Sequence, residues 1–448
     1  MEENNLIEEL IELIDNKKIN ELHDFLENIN DADFPQIFES LEQEKIIMIY
    51  RLLSKEKAAE VFVELDPDAQ EKLINCLTDR EIKNVMNELY MDDAVNLIEE
   101  MPSNVVKRIL ANTKAEDRKI INELLKYPDD TAGSLMTTEF IDLKENMSVE
   151  QAFEKIKKKG LNSETVYNCY VLTIDRKLIG VVDIKDLLIS EREVKVKEIM
   201  DTNQVKTHTL EDQEEVVKLF EKYDVVAVPV VDNEERLVGI ITIDDAIDVL
   251  QEETSEDFEK MAAITPNEDT YFKTSVFTHA KNRIVWLFVL MISSMITGAI
   301  IENFESAISS LPILVSFIPM LMGTGGNCGS QSSTLIIRGL AMDEISTKDL
   351  LKAMWKELRV ALLVGIMLAI VNSTRIVVQY RNVKIAVVVS LTLMCTVIVS
   401  KILGCVLPIV AKKLKLDPAI MAAPLLTTVV DTVTVFMFFT ISTLMFQL

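Results

Sequence analysis

The stretch from Pro418 to Phe446 constrains this chain more than any other. It is an apolar run longer than the roughly 20 residues a helix needs to cross a bilayer. It holds a single charge, Asp431, within PLLTTVVDTVTVFMFF. A carboxylate at bilayer depth costs at least about 2.5–3.5 kcal/mol on insertion scales, so it normally faces a polar cavity or a partner. Thr427, Thr428, Thr432 and Thr434 surround Asp431 with hydroxyls, and no basic residue lies close to it in sequence. That pattern points to a cation site. The competing reading is a protonated or hydrogen-bonded packing residue served by the same threonines.

Four apolar runs precede it, roughly Asn282–Ile301, Leu311–Ala341, Leu358–Tyr380 and Ile385–Ala411. Together they predict an α-helical membrane domain with five spans. Lys/Arg in short loops sets orientation. Lys281 and Arg283 precede the first run. Lys348, Lys352, Lys356 and Arg359 separate the second from the third, and Lys412, Lys413 and Lys415 the fourth from the fifth. These belong inside. The first loop has Glu302 and Glu305 and no Lys/Arg, so it belongs outside; Arg381 and Lys384 are a minor exception. The N-terminus is then cytoplasmic and the C-terminus outside, in a cell membrane.

The second run contains GTGGNCGSQSSTLIIRGLA, Gly323 to Ala341. Glycines there weaken a helix and allow close backbone approach. Asn327, Ser330 and Gln331 add polar groups that need partners or water. A broken helix is tolerated at that depth where it lines a cavity, so Gly325, Gly326, Asn327 and Gln331 are candidate pore-lining residues. The alternative is a plain small-residue packing face.

Charge divides the chain. Tyr271 to Leu448 has 15 Lys/Arg against 8 Asp/Glu, a net of +7; Met1 to Thr270 has 31 against 64, a net of −33. Such an acidic surface repels nucleic acid and attracts cations. MEENNLIEEL has no basic leader region, so the acidic half is expected in the cytoplasm. Cys76, Cys169, Cys328, Cys395 and Cys405 are scattered and, with three histidines, make no zinc or redox motif. No nucleophile–base pair, Walker loop or metal triad marks an enzyme.

In the acidic half, Leu41, Leu53, Leu65, Leu77, Leu89 and Met101 recur every 12 residues. Ile37, Ile49, Val61, Leu73, Val85 and Leu97 stand four before each, on the same helix face. Ser54, Asp66 and Thr78 follow three of the leucines as N-cap residues. Short helices of this kind are unstable alone, so the repeat predicts an all-α superhelical N-terminal solenoid over residues 1–130.

After Tyr127-Pro128-Asp129-Asp130 two similar halves follow. YVLTIDRKLIGVVDIKDLL (Tyr170–Leu188) and VPVVDNEERLVGIITIDDAI (Val228–Ile247) each run strand, polar turn, Gly-containing strand and helix. This order resembles the CBS module, and two copies resemble an α/β tandem CBS pair, residues 131–250. The resemblance implies a regulatory unit with ATP as a candidate ligand, although no phosphate-cradling glycine loop can be read. A structural spacer is the alternative.

With solenoid, CBS pair and membrane half in this order, the chain resembles the MgtE magnesium transporters and channels. Tyr127-Pro128, AGSLMTTEF (Ala132–Phe140), GTGGNCGSQ (Gly323–Gln331) and PLLTTVVD (Pro424–Asp431) carry the resemblance. It implies a homodimer with a pore lined by the second and fifth spans over residues 281–448. The pore acid falls on Asp431, and a backbone carbonyl ligand on Thr427. Ala423 stands where relatives can carry Asn, and Lys401 within the fourth run is a departure, read as snorkelling to an interface.

TIDDAIDVLQEETSEDFEKM (Thr242–Met261) reads as an acidic helix whose like charges, three and four apart, repel. By itself it is a solvated helix. The resemblance implies that this stretch is the connecting helix, running into a helix-and-linker segment over residues 251–280, and that cytoplasmic Mg2+ bridges it to acidic CBS and solenoid surfaces. By position that role falls on Asp245, Asp248, Glu253, Glu256 and Asp257, with Glu214 and Asp224 in the second CBS half. Asp417 could share an ion with the connecting helix, and Asp92 and Asp93 add solenoid ligands, although Asn96 stands where an acid is expected. The expectation is a Mg2+-selective channel-like transporter closed by cytoplasmic Mg2+. A secondary transporter of Co2+ or Mn2+, and a membrane-anchored Mg2+ or nucleotide sensor, are the alternatives.

Overall fold

The computed structural model describes residues 2–16, 18–267, 271–421 and 423–447. The chain divides into two compact units, Met1–Leu250 and Gln251–Leu448.

The first unit opens with short helices: Glu2–Asp15 (α1), Ile19–Glu27 (α2), Phe34–Glu39 (α3) and Gln43–Tyr50 (α4). Six more begin 12 residues apart: Lys55–Val63 (α5), Pro67–Cys76 (α6), Asp79–Glu88 (α7), Met91–Glu100 (α8), Ser103–Asn112 (α9) and Ala115–Leu124 (α10). The caps explain the punctuation. Ser54, Asp66 and Thr78 side chains accept from the N–H of Lys57, Ala69 and Glu81, and Thr78 with Glu81 closes a capping box. Packing follows the repeat: α5 lies on α7, α7 on α9 and α8 on α10. Val61, Leu73, Val85 and Leu97 are buried with Leu65, Leu77, Leu89 and Met101. Each such side chain contributes about 1.5–3 kcal/mol of burial, which these helices lack alone.

A short turn of helix, Ala132–Leu135 (α11), leads into two three-stranded sheets. The first has Ile141–Leu143 (β1), Val149–Lys159 (α12), Asn168–Leu172 (β2), Leu178–Asp183 (β3) and Ile184–Ile189 (α13). After Val196–Ile199 (α14), the second repeats the plan with Thr207–His208 (β4), Gln213–Tyr223 (α15), Ala227–Val231 (β5) and Leu237–Thr242 (β6). In both, the first strand is parallel and the third antiparallel to the middle one. Val171 pairs with Gly180 and Val230 with Gly239, with the same register shift one residue on. The halves meet through reciprocal bonds, Leu178 N–H to Glu235 O and Leu237 N–H to Arg176 O. Phe140, Tyr170, Leu172 and Leu178 pack there against Val231, Leu237 and Ile240. One helix, Ile243–Met261 (α16), starts at β6 and carries residues of both units.

The second unit holds Val276–Asn303 (α17), Glu305–Ser310 (α18), Ile318–Ala341 (α19), Leu350–Tyr380 (α20), Val383–Lys413 (α21) and Ala423–Phe446 (α22). Among the described residues, four helical stretches are long and apolar enough to cross a membrane; they contain α17, α20, α21 and α22. α19 is not among them, because glycine, asparagine, glutamine and serine dilute its apolar content. It is nonetheless one continuous 24-residue helix through all its glycines. The expected break is absent: α19 packs on both α21 and α22, and Gly325, Gly326 and Gly329 make its close approach to them. A core of Phe317, Leu321, Val389, Leu393, Val435, Phe438 and Phe439 fills one end. α17 packs mainly on α22 and leaves Leu287, Phe288, Met291, Ile292 and Met295 exposed, as a lipid-facing helix would.

Candidate functional site

Two groups of residues concentrate the chemistry, one in each unit. In the second unit Asp431 sits half-buried on α22 and makes no ion pair among the described residues. Three of the four threonines around it turn their hydroxyls onto their own backbone, while the buried Thr434 Oγ1 has no partner among the described residues. Thr427 Oγ1 donates to Pro424 O at 2.9 Å, and Thr428 Oγ1 to Leu425 O at 2.8 Å. Thr432 Oγ1 donates to Thr428 O and lies 2.7 Å from Thr297 Oγ1 of α17. These self-satisfied hydroxyls leave Asp431 as the unneutralised charge of α22.

α19 faces this helix with glycine. A Cβ on Gly326 would stand 3.0 Å from Thr427 Cγ2, and one on Gly325 2.7 Å from Thr396 Cγ2 and 2.9 Å from Val430 Cγ1. Gly326 thus meets the Thr427 level, whereas Gly325 is a packing position between α21 and α22. Asn327 and Gln331 are exposed, one turn apart on a single face of α19. The side chain of Ala423 lies outside the described residues.

Lys401 does not snorkel. It is 5% exposed and faces the interior, where Nζ donates to Ser332 Oγ at 3.1 Å and lies 3.7 Å from Glu357 Oε2. The physical reason is a partner: Glu357 on α20 is itself buried, and Ser332 Oγ donates to it at 2.5 Å. A buried pair of opposite charges needs no route to water.

In the first unit Asp92 and Asp93 open α8, and Asp245 sits in the first turn of α16. All three carboxyls lie above their ordinary range. Burial raises Asp92 first, then the charges of Asp93, Asp245 and Glu164. Burial raises Asp93, then Asp245, Glu60 and Asp244. Burial raises Asp245 to about 6, even though Thr242 Oγ1 donates to it at 2.6 Å. Glu164 is pushed up to about 8 by burial and by Asp245, Asp93, Asp244 and Glu139. Glu64, facing Asp248, is raised by burial and then by Asp248. A nest whose leading perturbers are burial and like charges is what a cation would relieve. Among the described residues, however, no three acidic, histidine or cysteine groups stand close enough to hold a metal directly. An ion here would be held through its own waters, which suits Mg2+.

The other acids are placed differently. Glu253, Glu256, Asp257 and Lys260 share one face of α16. The Lys260 ammonium pairs with both Glu256 and Asp417, the latter at 2.7 Å. Where an ion shared by Asp417 and the connecting helix was expected, a lysine stands. Glu214 pairs with Lys218 at 3.1 Å, and Asp224 caps the far end of α15 with φ 51°. α15 has 11 residues, so the two lie about 15 Å apart.

The chain is 34% identical over 380 residues to the magnesium transporter MgtE of Bacillus subtilis, covering 85% of this chain and 84% of that protein. This chain belongs to the MgtE family. The family model described as a divalent cation transporter matches residues 318–441, and the MgtE intracellular N domain matches 29–130. CBS domains match 132–192 and 196–252. The magnesium transporter MgtE of Thermus thermophilus is 32% identical over 393 residues, 87% of each chain. The soluble part of a magnesium transporter superposes on 56% of this chain with TM-score 0.53 at 29% identity, using 99% of that chain. The cytosolic domain of the Mg2+ channel MgtE in complex with ATP covers 54% with TM-score 0.51 at 33% identity, using 98% of that chain.

For an MgtE-family chain, the sequence reading missed Glu164, Glu139, Glu60 and Glu64 in the acidic nest. Glu164 lies in an irregular loop, where no periodicity points to a partner. Glu139 lies inside the quoted TTEF stretch and accepts from Thr137 Oγ1 at 2.7 Å. Glu357 stands one residue before the third apolar run, which begins at Leu358, so hydropathy alone passes over it.

Proposed function

We propose that this protein moves Mg2+ across a bilayer along a path made by α19 and α22, with Asp431 as its cation-binding group and the Thr427 carbonyl beside it. The observation that carries this reading is Asp431 itself: a carboxylate in an apolar helix, with no cation partner among the described residues, beside a helix whose glycines leave room. Mg2+ sheds water reluctantly, so it passes largely hydrated, through water-mediated contacts to Asp431. The polar Asn327–Gln331 face of α19, exposed in one copy, is covered by a second copy, giving a homodimer with α19 as a fifth crossing. The N-terminus is cytoplasmic and the C-terminus outside.

The acidic nest supports regulation. At low cytoplasmic Mg2+, Asp92, Asp93, Asp245 and Glu164 repel one another. Hydrated Mg2+ among them removes that repulsion and holds the closed state. The ATP complex of a relative's cytosolic domain supports ATP as a ligand of the CBS pair here. Flux of Mg2+ into proteoliposomes, with Co2+ and Mn2+ as competitors, tests the transport reading. Mg2+ uptake that competing ions reduce only at large excess supports it. Preferential Co2+ or Mn2+ uptake assigns the scaffold to another cation, and no flux at all leaves a sensor.

A further inference from the structure

Charges inside an apolar helical unit are costly and are retained where they act. Asp431 has a role in the proposal above; the other buried charges of this unit among the described residues, Lys401 and Glu357, have none. Both are nearly sealed, 5% and 9% exposed, and Ser332 between them is fully buried. Each residue comes from a different helix: Ser332 from α19, Glu357 from α20 and Lys401 from α21. The serine hydroxyl gives its proton to Glu357 Oε2 at 2.5 Å and accepts from Lys401 Nζ at 3.1 Å. α19 is thereby held by one side chain that reads both charges at once.

The neighbouring backbone shows how tightly that hold is set. One turn away from Lys401 and from Ser332, a Cβ on Gly404 would stand 2.3 Å from Gly329 O. α19 and α21 therefore meet backbone to backbone beside the triad. On its other side the same stretch of α19 touches α22: a Cβ on Gly329 would lie 3.1 Å from Leu426 Cδ2, and Gly326 meets Thr427. Any shift of α19 on the triad side changes the gap on the Thr427–Asp431 side, because packed helices move as units rather than deform.

We propose that Lys401, Glu357 and Ser332 form a positioning site that fixes α19 against α22 and so sets which divalent cations pass Asp431. The proposal rests on the reading of α19 and α22 as the transport path. The triad touches no transported ion; it acts through the width of the gap. Lys401 and Glu357 also pair with each other, so the triad adds no net charge to the unit. Removing one charge leaves the other buried and unpaired, which is far more disruptive than removing both. Selectivity between Mg2+, which holds its waters tightly, and the more loosely hydrated Ca2+ is the property that gap width governs.

The test uses the full chain in liposomes and reads the ratio of Mg2+ to Ca2+ flux, which a loss of folded protein does not move. Lys401→Met and Glu357→Gln should each lower that ratio about tenfold, and the double variant should return it to within about threefold of wild type, as expected of strongly coupled neighbours. Single variants that keep the wild-type ratio while total flux falls overturn the proposal, as does a double variant no better than either single. If a single variant does not fold, Ser332→Ala decides: it keeps both charges and removes the link. A ratio lowered about threefold then supports the proposal, and an unchanged ratio overturns it. Asp431→Asn is run alongside. If it transports at the wild-type rate, the path assignment falls and the triad proposal with it. If it is silent while triad variants keep their ratio, the triad proposal alone falls.

Discussion

Gly326 lies against Thr427: a Cβ at this glycine would stand 3.0 Å from Thr427 Cγ2. The contact is tighter than ordinary packing and sits one turn before Asp431. Gly326→Val should therefore push α22 away at the Thr427 level and abolish Mg2+ uptake. Gly325→Val meets Thr396 and Val430 in a closed interface, so it should also lower stability, by about 1–3 kcal/mol for overpacking. Uptake measured together with the thermal midpoint separates the two. Normal uptake in the Gly326→Val variant would show that this glycine is an ordinary packing residue.

Much of this was legible beforehand, and for local reasons. The 12-residue spacing of Leu53, Leu65 and Leu77 places helix starts because each of these repeats carries its own cap, Ser54, Asp66 or Thr78, and its own apolar pair. The twin sheets follow from two copies of one strand–turn–strand pattern around Gly180 and Gly239. The long apolar helices follow from composition alone. What was not legible depends on distant partners. Lys401 reads as an anomaly until Glu357, on another helix, is brought to it. Glu164 reads as a loop acid until folding carries it to Asp93 and Asp245. The glycines of α19 read as helix breakers because sequence shows their weak propensity, about 1 kcal/mol each, and not the neighbours that keep the helix continuous.

The raised carboxyls of the acidic nest give a pH dependence with a definite sign. Glu164, near 8, and Asp245, near 6, bind protons in the folded state over a range where the unfolded chain does not. Stability they contribute is full below about pH 4, the unfolded value, and is lost as pH rises through 6 to 8. With a chelator present, the thermal midpoint should fall by at least about 3 °C between pH 5.5 and pH 8.5. Mg2+ should restore it, and more so at the higher pH. A midpoint that rises over this window, or a Mg2+ effect equal at both pH values, would count against a cation-relieved nest.

Neutralising Asp245, Asp248, Glu253, Glu256 and Asp257 together, to Asn or Gln, sets two effects against each other. Lower repulsion alone favours the closed arrangement, but each like-charge pair at helix spacing is worth only about 0.2–0.5 kcal/mol. Loss of the groups that gather Mg2+ removes the drive to close, and a divalent ion is the largest charge in its site. Glu256 also holds Lys260, so that tie to Asp417 is weakened as well. Channels that stay open at millimolar cytoplasmic Mg2+ are expected in patch recordings with stepped bath Mg2+. Unchanged inhibition would make the helix a solvated linker, and permanent closure would show that repulsion dominates.

With Asp431 proposed as the group through which Mg2+ passes, uptake into proteoliposomes reads its role at the pore itself. Wild type and Asp431→Ala are reconstituted at equal density, and Mg2+ entry is followed with an internal dye. The variant removes the one charge of α22, at a half-buried position where the smaller side chain is tolerated, so it should fold as wild type does. Entry indistinguishable from empty liposomes is expected. Entry at the wild-type rate, from a variant with an unchanged thermal midpoint, would contradict the assignment.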